Sequence, residues 1–294
     1  MRDWRRVRVP ASSANLGPGF DGLALAAGMY LDCRFRESNE LQIRASGRDA
    51  EEISSGEHNL IWRAAVHCGA RNPIELEIFN DIPLGKGLGS SAAAVTAGVV
   101  IASVLGNCGW DRARVLEESA RIEGHPDNVA ACVFGGVTAS AADAAGRARA
   151  VRIPLHENFR IGVVIPDFRL PTSQSRGVLP ESYSRRDAIF NIQHASLLTA
   201  ALASGDRSAF PEALEDRMHQ PYRYRLVPGL EEITRLRASG LLGCALSGAG
   251  PSLLVFYERG SDSVCDIVAE AFAEHGHKCE IWRGEIPQNG YEVS

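Results

Sequence analysis

The sequence predicts an α+β protein built as two domains, on three observations. Its 294 residues exceed the ~100 to 200 of a typical single domain. Strand-like and helix-like patterns alternate through both halves, so each half has enough apolar residues for a core of its own. Between them, residues 139–152, ASAADAAGRARAVR, lose both periodicities and their apolar bulk, which marks a hairpin or a boundary. Domains at residues 1–150 and 151–294 follow.

In the first half, residues 5–9, 29–35, 41–46 and 74–80 show period-two alternation or β-branched enrichment and read as strands. Residues 58–69, 90–105 and 111–124 read as helices, the last running from an Asp111 N-cap to a Gly124 stop. The second half opens with a strand at 160–167, then helices at 187–205, near 207–217 and at 229–240. A strand at 252–258, a helix at 262–276 and a strand at 278–284 complete it. There is no internal repeat at fixed period and no low-complexity segment.

Composition narrows the function. At 45% hydrophobic and 23% charged residues the chain is an ordinary globular sequence. A net charge of −5, with no basic block long enough to be a tail, argues against nucleic acid, because neutralising phosphates needs grouped cations. The basic opening MRDWRRVRV leads into a strand pattern with no hydrophobic segment behind it, unlike a signal peptide. The uncharged run at 90–105 is short of the ~20 residues that span a bilayer and reads as a buried helix, so no membrane partner is expected. Cys33, Cys68, Cys108, Cys132, Cys244, Cys265 and Cys279 are odd in number and never spaced C-x-x-C. That disfavours a disulfide framework or zinc site and fits a reducing cytoplasm.

The chemistry starts at residues 82–94, IPLGKGLGSSAAA. Gly85, Gly87 and Gly89 allow positive φ and close backbone approach, and a helix begins near Ser90. Helix starts present unpaired N–H groups and positive potential, which together bind anions. The spacing matches neither G-x-x-x-x-G-K-[ST] nor G-x-G-x-x-G. On residues alone, a phosphate cradle and a tight turn before a closely packed small-residue helix both remain open.

Within 111–122, Ala113, Leu116 and Ala120 trace an apolar stripe on which Glu117 also falls, so Glu117 reads as a buried carboxylate in need of a cation. The alternative is a helix-edge glutamate reaching water. Glu118, flanked by Arg114 and Arg121 at helix-pair spacing, reads as a solvated surface charge.

Three further stretches carry a resemblance: residues 10–26 (PASSANLGPGFDGLALA), 123–137 (EGHPDNVAACVFGGV) and 246–256 (LSGAGPSLLVF). With GLGSSAA they resemble the three signature motifs of the GHMP kinases, in the same order and across the whole chain. Residues 171–180 (PTSQSRGVLP) and 218–229 (MHQPYRYRLVPG) are similar to segments of the homoserine kinase branch. The resemblance implies an N-terminal ATP-binding α/β domain with a left-handed βαβ crossover, a ferredoxin-like C-terminal domain and an active site between them. It further implies ATP-dependent phosphorylation of the homoserine hydroxyl and a homodimer. A GHMP kinase for another small alcohol, and a non-catalytic ligand sensor on the same fold, stay open as alternatives.

By that resemblance, Pro83, Leu84, Gly85, Lys86, Gly87, Leu88, Gly89, Ser90, Ser91, Ala92 and Ala93 would cradle ATP. Ser91 and Glu117 would hold Mg²⁺, an ion suited to hard oxygen ligands, with Glu123 as the other candidate carboxylate. Ser90 would cap the helix and meet phosphate. Asn15, Asp21, His125, Asn128, Thr172, Arg176 and Arg223 correspond to residues that hold homoserine. Guanidinium forks suit its carboxylate, and Asp21 can accept from its ammonium or hydroxyl. The duller alternatives are a turn at Asn15, a backbone contact at His125 and a wet face at Arg223. The loop of Gly248 and Gly250 would close the cleft.

Glu117, Asn128 and Arg176 would form the catalytic set. Asn128 stands where mevalonate-kinase-like members carry an aspartate, and an amide cannot take the hydroxyl proton. Transfer would then rest on alignment and charge stabilisation, which suits the loose transition state of phosphoryl transfer. Asp21 and Asp127 remain candidates for a conventional base.

Overall fold

The computed structural model describes residues 3–294; Met1 and Arg2, which begin the basic opening, lie outside the described residues. The chain starts with two long antiparallel strands, β1 (Arg5–Asn15) and β2 (Gly19–Glu37), joined by the tight turn Leu16-Gly17-Pro18. β1 is buried from Val9 to its end, because both of its faces are covered. β3 (Gln42–Gly47), helix α1 (Leu60–His67) and β4 (Ile74–Asn80) form a crossover, with β3 and β4 paired in parallel. Asn59 caps α1 by accepting from the backbone N–H groups of Ile61 and Trp62.

α2 (Ser90–Leu105) is the central helix. Having no charged residue, it is buried on nearly every side, the expected place for a helix that is apolar all round. Each fully covered Val or Ile on it is worth about 1.5–3 kcal/mol relative to exposure. α3 (Arg112–Glu123) and α4 (Asp127–Phe134) follow. Ala131 of α4 packs with Ala14, Ala24 and Ala26 of β1 and β2, small residues that let helix and sheet approach closely. β5 (Val137–Ala142) and β6 (Ala148–Ile153) then form a hairpin whose first strand pairs with the first half of β2, while β4 pairs with its second half.

β7 (Phe159–Pro166) begins the second sheet. α5 (Thr172–Gly177), α6 (Arg185–Ser204), α7 (Gln220–Arg223) and α8 (Leu230–Thr234) separate it from the antiparallel pair β8 (Leu241–Leu246) and β9 (Leu253–Glu258). α9 (Val264–Glu274) and β10 (Cys279–Trp282) close the unit, and the sheet order β10-β7-β9-β8 is that of a β-α-β-β-α-β ferredoxin-like sandwich. Its core joins Val164, Leu230, Leu246, Val255, Val268 and Phe272. The last strand, β11 (Glu292–Val293), returns to pair with β1.

The unpatterned stretch at 139–152 is thus a hairpin of the first sheet. That sheet draws on both sides of the division expected at residue 150, since it includes β6 through Ile153 and also β11. Five elements lacked a sequence signal: α4, α5, α7, β8 and β11. β8 carries a bulge between Leu241 and Gly243 that breaks its alternation. The helix expected at 229–240 stops at Thr234, and that near 207–217 is two single turns of 3-10 helix, at Arg207–Ala209 and Glu212–Leu214. Among the described residues no helix is long and apolar enough to cross a membrane.

Candidate active site

The loop before α2 is fixed from two sides. Gly89, at φ 66°, sits where a Cβ would fall 2.0 Å from the Ser12 hydroxyl and 3.0 Å from Asn128 Oδ1, so no side chain fits there. No side chain caps α2, and its first N–H groups open toward the cleft beside Ser90 and Ser91. Ser12 N donates to Leu88 O at 3.1 Å, and Leu170 N donates to Gly85 O at 3.0 Å, so β1 and the segment after β7 hold the loop. Ser247 Oγ donates to Gly87 O (2.7 Å), lies 2.7 Å from Ser13 Oγ, and Gly248 N donates to Ala14 O (3.0 Å). The 247–250 turn therefore ties β1, the loop and the second domain together.

One pocket of about 90 Å³ lies where these segments meet. Asn15, Asp21, His125, Asn128, Thr172, Arg176 and Arg223 all line it, together with Gly85, Gly87, Leu88, Gly89, Ser90 and Ser91. Arg176 forks onto Asp21 at 2.8 and 3.3 Å, and Asn15 accepts from Asp21 N at 3.1 Å. Asn15 and Asp21 both hold positive φ, 74° and 54°, a strained backbone of the kind that collects at working sites. Arg223 is fully buried, and burial first, then the neighbouring Arg176 charge, pull its pKa down to about 10.

Asn128 accepts from Ser12 Oγ at 2.9 Å, which directs its amide nitrogen away from that contact. Asp127 is buried and committed: its Oδ1 receives Asn128 N at 2.6 Å and lies 2.8 Å from His125 Nδ1. Burial works against a charged His125, but the hydrogen bond to Asp127 and the charge behind it outweigh this and raise its pKa.

Six of the expected residues, Pro83, Leu84, Lys86, Ala92, Ala93 and Glu117, lie outside this pocket. Glu117 is not on the buried face of α3: Ala113 is exposed, and the covered residues are Val115, Leu116, Glu118, Ser119 and Ala120. Glu117 instead pairs with Arg114 (3.3 Å) and Arg121 (3.5 Å), outside the pocket. Glu118, expected on the wet face, is the more buried of the two, with the same arginines closing over it. The carboxylate of α3 that reaches the pocket is Glu123, which accepts from Ser91 Oγ at 2.9 Å. Burial pushes its pKa above the usual carboxylate range, as for an anion awaiting a positive partner. The signal was present in the sequence as Leu116, Ala120 and Glu123 at i, i+4 and i+7, which continues the Leu116–Ala120 stripe toward the helix end rather than toward Glu117.

Lys86 also points away from the pocket. Its ammonium donates to the carbonyls of Pro166 and Phe168 at 2.6 Å each, while burial and then Arg169 lower its pKa. Pro83, Ala92 and Ala93 are buried in the surrounding packing, whereas Leu84 lines a second cavity. That cavity, about 380 Å³, shares Ser90 and Ser91 with the first and is walled by Leu31, Ile53, Leu60, Ile61 and Ile78. Nothing in the sequence singled it out, since its walls come from separate segments spread from Leu31 to Ala94. A larger cavity of about 640 Å³ beside Trp110 and Tyr291 touches neither the loop nor Glu123.

Comparison with known proteins places this geometry. Residues 59–136 match the GHMP kinases N terminal domain, and residues 198–274 match the GHMP kinases C terminal domain. A homoserine kinase of Solibacter usitatus is 60% identical over 99% of this chain and 97% of its own. The chain belongs to the GHMP kinase family. A second relative, the homoserine kinase of Synechococcus, is 44% identical over 85% of this chain and 84% of its own. The crystal structure of homoserine kinase from Cytophaga hutchinsonii superposes with a TM-score of 0.86 at 26% identity, covering 100% of this chain and 98% of that one. Galactokinase of Lactococcus lactis shares the fold, with a TM-score of 0.71 at 17% identity over 99% of this chain and 95% of its own. As a GHMP kinase the chain is an ATP-dependent small-molecule kinase, built on the two-domain fold of that family.

Proposed function

We propose that this GHMP kinase transfers the γ-phosphoryl group of ATP to the side-chain hydroxyl of L-homoserine, giving O-phospho-L-homoserine. One observation carries the reading: two guanidiniums, three carboxylates and the glycine-rich helix start surround a single small pocket. Arg176 and Arg223 offer donors for the amino-acid carboxylate, and Asp21 offers an acceptor for its ammonium. The triphosphate would follow the 85–91 loop to the start of α2, with the nucleoside in the apolar cavity that shares Ser90 and Ser91.

Ser91 and Glu123 supply adjoining oxygen donors of the kind Mg²⁺ prefers, and the raised pKa of Glu123 fits a buried carboxylate that a cation would stabilise. When bound there, the ion would neutralise charge on the transferring phosphates. Asn128, lacking a basic atom, would orient the hydroxyl and donate to phosphate oxygen. Asp127 is held by His125 and Asn128, and Asp21 by Arg176, which argues against either serving as a free base. The hydroxyl proton would then pass to phosphate oxygen or solvent, and positioning supplies the rate.

Seven unpaired cysteines suit a reducing compartment, and assembly as a homodimer rests on the family resemblance. The test is ADP release with ATP, Mg²⁺ and L-homoserine beside mevalonate, a sugar and a simple amino alcohol. Saturable turnover of homoserine in clear preference to the others supports the assignment. Turnover of mevalonate or the sugar, but not homoserine, overturns it.

A further inference from the structure

We propose that His219 is the positioning residue that aims Arg223 at the substrate carboxylate, an inference that rests on the reading of the pocket given above. A guanidinium has five N–H donors. Three of those on Arg223 are spent inside the protein: Nε donates to Ser175 O at 3.2 Å, and Nη1 donates to Gly248 O at 3.0 Å and to His219 Nδ1 at 2.9 Å. Only the two hydrogens of Nη2 lack a partner among the described residues, and Arg223 lines the pocket. The direction in which the side chain binds is therefore set by what holds Nε and Nη1.

His219 is suited to that task because its own freedom is gone. The ring is fully buried, lies 2.7 Å through Nε2 from Gly17 O, and stacks on Phe20 at 5.3 Å and 23°. Its backbone N–H donates to Asp216 Oδ2 at 2.9 Å. Both neighbours dictate one tautomer. Nε2 faces a carbonyl and must carry the hydrogen, whereas Nδ1 faces a guanidinium that has no lone pair and must accept. The imidazole thus acts as a fixed acceptor that turns Arg223, and Phe20, beneath both Arg176 and Arg223 at 5.8 and 5.7 Å, keeps the two guanidiniums on one side of the pocket.

Two amide replacements separate this role from simple filling of space. His219→Asn places an acceptor near the Nδ1 position, while His219→Gln places its amide near Nε2 and leaves nothing for Arg223. Each variant, with Arg223→Ala and the double variant His219→Gln/Arg223→Ala, is assayed for kcat/KM on L-homoserine and on 3-aminopropan-1-ol, which lacks the carboxylate. KM for ATP and the melting temperature are followed alongside.

Arg223→Ala should reduce the preference for homoserine at least tenfold. His219→Gln should do the same through KM for homoserine while KM for ATP holds, His219→Asn should keep the preference within about threefold, and the double variant should be no worse than Arg223→Ala. Equal behaviour of the Asn and Gln variants, or losses that multiply in the double variant, overturns the inference. If His219→Gln does not fold, the retention or loss of preference in His219→Asn decides the matter alone. Should Arg223→Ala keep its preference, the assignment of Arg223 to the carboxylate fails and the inference with it. A preference lost in Arg223→Ala but kept in His219→Gln sinks only the inference.

Discussion

Gly87→Ala tests how the phosphate loop is built. Gly87 holds φ 74°, and an added Cβ would lie 2.2 Å from Ser247 O and 2.8 Å from Gly250 O. Both obstacles are backbone, so the loop or the 247–250 turn has to move. Adopting the left-handed conformation without glycine costs about 1–2 kcal/mol, and relieving the overlap about another 1–3 kcal/mol. The cheapest relief is to push the loop away from Ser247, which breaks the 2.7 Å hydrogen bond into Gly87 O and displaces the amides at the start of α2. If only about 2 kcal/mol of that is expressed as loss of transition-state stabilisation, kcat/KM for ATP falls about thirtyfold. Steady-state ADP release over a range of ATP concentrations measures it, with thermal melting to separate misfolding from loop displacement. Gly56→Ala, with no atom within 4 Å of the new Cβ, is the control. A Gly87→Ala enzyme within threefold of wild type in kcat/KM for ATP would show that the loop tolerates a side chain at this position without displacing the start of α2.

Glu123→Gln should lose at least a hundredfold in kcat and need more Mg²⁺ for half-maximal rate, whereas Glu117→Gln should stay within threefold; a Mg²⁺ titration of both variants checks this. Lys86→Met leaves the carbonyls of Pro166 and Phe168 without their donor, so urea unfolding should show a loss of about 2 kcal/mol, along with a higher KM for ATP as the loop loosens. His219 gives a pH dependence. Burial first, against the partial offset of Asp216, and then the Arg223 charge hold its pKa below the usual histidine value. The unfolded chain then binds the proton more readily, so this contribution is complete above about pH 6.5 and is lost as pH falls below it, by at most about 1.4 kcal/mol per pH unit. Asp216, lowered as well, acts in the same direction but at more acid pH. Unfolding free energies between pH 7.5 and 5.5 should fall more steeply for wild type than for His219→Asn, and parallel curves would count against the buried neutral ring.

Much of the fold was legible because its elements are locally encoded. The apolar run at 90–105 gave α2 its bounds, and the glycines before it marked the loop. β8 and α4 were illegible for a physical reason: they are covered on all sides by distant segments, so neither needs the one-sided periodicity that reveals an amphipathic element. Motif spacing brought the seven expected pocket residues to one place, although the chain positions run from Asn15 to Arg223. It could not decide side-chain direction. Glu117 and Glu123 differ by six residues on one helix, and the choice between them depends on how α3 is rotated against α2, where Ser91 stands. Lys86 looked like a phosphate ligand beside the glycines, yet two carbonyls from the other domain capture it. Contacts between remote segments leave no local pattern.

On the reading proposed above, the 85–91 loop and α2 grip the nucleotide phosphates while Arg176 and Arg223 hold an amino-acid carboxylate in the adjoining pocket. A crystal structure with a non-hydrolysable ATP analogue, Mg²⁺ and L-homoserine tests it directly. Phosphates against the α2 start, the ion between Ser91 and Glu123, and the homoserine hydroxyl beside Asn128 are the expected result. Phosphates bound elsewhere, or the amino acid absent from the two guanidiniums, would contradict it.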